Sequence, residues 1–268
     1  KIKVDQADVC MYDARLYFGD TGKYRKSNVI QKKEYIPQTM PVEGKSFPYV
    51  FNIGTGCPWT SLFKKSLIDE NKLEFMALSR SNDIYFVNMA LVLAKRITMI
   101  QEVLVNYRQR STSLQANNTK TPWDWYEALK AIRDKLKELD LYDTVETSFK
   151  NLAFGVSIYN LCSLKVGEAF CEIYERLNSE IFAEFELDDF TEEECYSYNG
   201  AKYQIYMQMK ECSAVEYLFR QAQEMKEWQS RAKKAEKELQ KLKSSTTLKA
   251  GKALLYIPKK LKHLNGKK

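Results

Sequence analysis

The sequence predicts an α/β region followed by an all-α region, then one long helix and a basic amphipathic tail. Three observations carry this. Two strand-like runs, 7–18 and 97–107, bracket a helical run over 83–94. After Leu114 the apolar period changes, and Ala128, Leu129, Ile132, Leu136 and Leu139 recur at helical spacing. Residues 239–268 carry nine lysines and no acid.

Residues 7–18 are aromatic-rich with partial alternation, which predicts a strand, and Gly19-Asp20-Thr21-Gly22 a turn. Residues 23–55 hold Pro37, Pro41 and Pro48, a long irregular segment of the kind used as a binding loop. Trp59–Ile68 reads as a short strand and turn, and Leu73–Phe75 as another strand. Ser81 or Asn82 can cap a helix from Asp83 to Ala94 with Phe86, Ala90 and Leu93 on its apolar face. Ile97–Tyr107 is the next strand. Thr121-Pro122-Trp123-Asp124 has the form of a capping box with proline at the first helical position. Helices are expected over 146–164 and 166–186, then an acidic loop, then one long helix over 200–243. In that helix Leu218, Met225, Ala232 and Leu239 recur every seven residues, as do Trp228, Ala235 and Leu242. This is a weak, alanine-rich heptad pattern, open to homodimerisation through 216–243 or to packing back on the body. The expected regions are therefore 1–115, 116–199, 200–243 and 244–268.

A chain of 268 residues, 44% apolar and 29% charged, has the make-up of a folded protein. The net charge of +7 belongs to the tail. Without residues 239–268 there remain 33 basic and 35 acidic residues, so the body carries −2 and does not read as a nucleic-acid binder. Six scattered cysteines without a CxxC pair, and one histidine at His263, argue against a Cys/His zinc site. They fit a reducing cytoplasm. No apolar run approaches the ~18–20 residues of a membrane span. Apolar residues interleave with lysines after Ser244, as in a helix lying on an anionic membrane surface. The expected location is cytoplasmic and peripheral on the inner face of the membrane. Liposome co-sedimentation with and without 244–268 tests this.

The chemistry-bearing landmarks stand in one stretch. Cys57-Pro58-Trp59 leads into Leu62-Phe63-Lys64-Lys65, Arg80-Ser81-Asn82-Asp83-Ile84-Tyr85-Phe86 opens a helix, and the strand Ile97–Val105 ends in Tyr107-Arg108. In this order they resemble the acceptor-side half of a bacterial family 2 glycosyltransferase of GT-A type. The resemblance covers residues 7–186 and is most specific between 56 and 115. It implies that 1–115 is part of a GT-A, Rossmann-like sheet whose nucleotide-binding half should precede residue 1. It implies inverting transfer of a sugar from a nucleotide-sugar to a hydroxyl of a glycan or lipid-linked acceptor in cell-surface glycan synthesis. Asp83 would be the base, Trp59 a platform for the sugar ring, Asn82 a neighbouring contact, and Arg108 with Arg110 an aid to the leaving diphosphate. Mg²⁺ or Mn²⁺ is expected, with ligands mainly in the preceding half, because this chain has no Asp-x-Asp in the right place.

Each role has a plainer rival. Asp83 can simply stabilise a helix N-terminus, worth ~0.5–1 kcal/mol. Trp59 can be a core tryptophan, and Arg108 and Arg110 can be a solvated strand end. The chain also departs from the family pattern. Ser81-Asn82-Asp83 keeps one acid of the usual two, Thr60-Ser61 replaces an amide and a basic residue, and no histidine follows Tyr107-Arg108. A non-catalytic coiled-coil or membrane-surface interaction protein is the alternative from another class.

Overall fold

The computed structural model describes residues 1–26, 33–109 and 120–248. Arg110 and the tail beyond Leu248 lie outside the described residues, and with them the segment expected to meet a membrane. Lys1–Ala214 forms one compact unit and Val215–Lys268 a second.

The first unit begins with a mixed sheet built on β1 (Val9–Phe18). One edge of β1 pairs in parallel with β4 (Ile97–Gln109) along its whole length. The other edge is shared by two short antiparallel strands: β3 (Ser61–Phe63) against Val9–Met11, and β2 (Lys23–Lys26) against Arg15–Phe18. The first six residues of β1 are buried, which is the reading of a central strand. The pairing with β4 shifts register around Asp13, so the middle of β4 bulges away and leaves Val103 and Leu104 exposed.

The parallel pair needs a crossover, and α1 (Lys65–Asn71) and α2 (Asn82–Leu93) lie in it. Helix α1 replaces the expected turn at 65–68. Lys65 and Asp69 pair across one turn, Leu67 is buried, and Lys72 ends the helix in the left-handed region. Leu73–Phe75 is not a strand: Leu73 N–H still bonds to Ile68 of the preceding helix, while Phe75 stacks flat on Phe86 of α2 at 4.5 Å. Helix α2 starts where expected, but Phe86–Val92 are buried without interruption, Asn88 included, so it is buried all round instead of on one face. The proline-rich segment closes on it. Val42 bridges Ile97, and Gly44 N–H donates to Ala94 C=O at 2.8 Å.

From residue 120 the chain is helical: α3 (Asp124–Glu138), α4 (Tyr142–Ser163), α5 (Gly167–Arg176), a wide turn Leu177–Ile181 running into α6 (Phe182–Glu184), and α7 (Gly200–Glu211). Trp125, Phe149, Phe154, Phe182, Phe185 and Tyr206 form its fully buried centre. Helix α4 starts at Tyr142, four residues ahead of the expected 146. The capping box does not form. Thr121 Oγ1 is buried with no hydrogen-bond partner, and Asp124 Oδ2 instead accepts the Arg80 N–H at 2.8 Å, tying α3 to the entrance of α2. The expected single helix over 200–243 is also two. Cys212 is extended, its carbonyl accepts the Tyr174 hydroxyl, and Glu175 Oε1 accepts the Ala214 N–H that begins α8 (Ala214–Ser244). Among the described residues no helix is long and apolar enough to cross a membrane.

Candidate active site at the start of α2

Ser81 sits at φ 55°, a left-handed conformation that costs a residue with a Cβ about 1 kcal/mol or more. That turn swings the chain from Arg80 into α2 and leaves Asn82 and Asp83 in the first helical turn, with no side chain capping the helix from Ser81. Asp83 is half-buried. Burial pushes its carboxyl above the ordinary range, and the N–H groups of Asp83 and Ile84 offset this only in part.

The loop before β3 lies against this helix start. A side chain on Gly56 would meet the Ile84 backbone and the Asn88 amide at 3.6–3.7 Å. The next residue, Cys57, has its thiol pushed up by burial first, with the Asp83 carboxylate adding to the rise. Trp59, in the short turn Pro58–Thr60, stacks on Tyr107 of β4 with ring centres 4.8 Å apart. Burial raises the Tyr107 phenol, and Cys57 and Tyr159 of α4 raise it further. Arg80 completes the group. Burial lowers its guanidinium, while Tyr159 and Asp124 act in the opposite direction.

Cys57 links the two parts: it lies within electrostatic reach of Asp83 on one side and of Tyr107, stacked on Trp59, on the other, and Tyr159 lies within reach of both Tyr107 and Arg80. A carboxylate that burial discourages from ionising can accept a proton from a hydroxyl brought to it. Asn82 lies in the same helical turn, where its carbonyl accepts the Met76 N–H at 3.1 Å. Arg108 is placed elsewhere. Successive strand residues face opposite sides of a sheet, and Arg108 lies over Tyr17 at 5.6 Å, on the face where Arg15 bonds to Asn106. Tyr107 takes the Trp59 face.

Cys57 and Tyr107 were visible in the sequence as landmarks but carried no assigned role. Arg80 stood in the helix-opening landmark, also without a role, and Tyr159 carried no signal at all, since only the return of α4 brings it near. A separate cavity of about 330 Å³ is lined by Lys137, Asp140, Tyr142, Asp143, Glu146 and Glu186, none of them in this cluster. Among the described residues no three His, Cys, Asp or Glu side chains converge to hold a metal ion. The described residues alone thus do not hold Mg²⁺ or Mn²⁺, and no step below is routed through one.

No protein-family model matches the sequence, and no curated protein matches it. Solved structures do. The crystal structure of S. aureus TarS 1-349 is 19% identical with a TM-score of 0.41, covering 68% of this chain and 51% of that one. A longer S. aureus TarS structure is 19% identical with a TM-score of 0.42, over 68% and 31%. TarS 1-349 in complex with UDP is 10% identical with a TM-score of 0.31, over 73% and 61%. The chain spans about half the length of the first of these.

Proposed function

We propose that this chain forms the acceptor side of an inverting glycosyltransferase of GT-A type and that Asp83 is its base. The observation that supports this is the half-buried Asp83 carboxylate at the mouth of α2, raised by burial and linked through Cys57 to the Trp59–Tyr107 stack. The acceptor hydroxyl gives its proton to Asp83 as its oxygen attacks the anomeric carbon, and the bond from that carbon to the nucleotide diphosphate breaks. Trp59 offers a ring face to a pyranose. Arg80 adds a cation to Arg108 and Arg110 as an aid to the leaving diphosphate. The donor is a nucleotide-sugar.

The test is Asp83→Asn, assayed for sugar transfer with nucleotide-sugar donors. Positioned bases contribute ~10²–10⁴, so turnover should fall at least a hundredfold with donor binding unchanged. Unchanged turnover removes Asp83 from the mechanism. The exposed apolar side chains of α8 favour the second reading, a non-catalytic interaction protein, and an inactive complete protein would leave that reading standing.

A further inference from the structure

We propose that α8 pairs with α8 of a second copy of this chain as a parallel, in-register, two-stranded coiled coil. The inference stands apart from the catalytic reading. At 31 residues α8 is about 46 Å long, and from Leu218 to Ser244 it is exposed almost throughout. Most of its exposed apolar side chains follow the heptad, with Val215 and Phe219 outside it. Leu218, Met225 and Leu239 occupy one series and Trp228 and Leu242 the other, at 39%, 62%, 50%, 66% and 62% exposure. Ala232 and Ala235 take two further central places, where small side chains let two helices approach closely, and Gln221 interrupts the second series. A helix of this kind gains much of its stability from what covers its apolar seam.

The charges beside the seam select the occupant and its direction. In a parallel pair each residue just before the first series faces the residue five positions on in the other copy. Arg231 then meets Glu236 of the second copy, and Glu238 meets Lys243 of the second copy. Both contacts are attractive and each occurs twice. In the antiparallel alignment with full overlap, Glu238 meets Glu224 and Arg231 meets its own counterpart, all repulsive.

Light scattering on the full chain over the micromolar range should give twice the 31.3 kDa chain mass. The double variant Met225→Asp/Leu239→Asp should run as a monomer in which the Lys1–Ala214 unit keeps its helix content, because both substituted side chains lie outside that unit. Glu238→Lys and Lys243→Glu should each weaken the dimer about three- to fivefold, and their combination should restore it. A monomer at every concentration, or a dimer that survives the double aspartate variant, overturns the proposal. So does a Glu238→Lys variant that tightens the dimer, which is the antiparallel outcome.

Discussion

Asp83 is held where its ionised form is disfavoured, and this has two measurable sides. Its folded-state pKa is raised above the unfolded one. The group therefore adds stability in acid, below the ordinary carboxylate pKa, and that contribution is lost as pH rises through the raised value. Asp83→Asn should accordingly melt above the wild type at neutral pH, and the gap should close in acid; an equal gap at both pH values would show that the carboxylate is not penalised. A carboxyl raised toward neutrality is also a better-matched base, so the same burial that costs stability favours the proposed proton transfer. At Trp59, replacement by Ala removes the partner of Tyr107, about 0.5–1.5 kcal/mol beyond the lost apolar area. Thermal melts check this, and Trp59→Phe should recover most of it. Asp83 and Trp59 were singled out because short motifs flank them. Tyr107 and Arg108 are consecutive and so face opposite sides of the sheet, which the strand alternation alone sets.

Among elements, the long periodic ones were readable and the short ones were not. Strands β1 and β4 and helices α2, α3 and α4 fall close to their expected spans, because period and length both mark them. Residues 65–75 misled: Leu73 and Phe75 alternate like a strand, yet α1's cap and the ring of Phe86 hold them as irregular chain. The Thr121 capping box failed because Asp124 is used by Arg80, a partner 44 residues away that local patterns do not reveal. The proline-rich segment owes its place to a backbone contact. A Cβ on Gly44 would lie 1.9 Å from Leu91 O at the end of α2, so Gly44→Ala should cost about 3 kcal/mol by chemical denaturation. Asn151 joins α4 to the acidic loop, donating to Glu194 C=O and accepting the Tyr196 N–H, both at 2.8 Å. Asn151→Ala leaves both groups unmatched and should cost about 2–3 kcal/mol.

The whole first unit is rich in phenols withdrawn from water. Burial raises Tyr142, Tyr196, Tyr198 and Tyr206, and raises Tyr126 to about 12, where the Glu184 carboxylate adds to the shift. Their folded pKa values exceed the unfolded value of about 10, so they stabilise the fold fully below that pH and cease to do so above it. Tyrosinate absorbance should therefore rise steeply above pH 10 together with loss of helical circular dichroism; tyrosinate forming while the helix signal persists would contradict this. The parallel pairing of β1 with β4 has a consequence in time. Strand β1 meets its main partner only after 78 intervening residues, whereas α3 and α4 are joined by three residues. Closing the longer loop costs more chain entropy before any contact repays it. Pulse-labelled hydrogen exchange during refolding should find α3 and α4 protected first and β1 last, so that the cluster around Asp83 is assembled by the final event of folding.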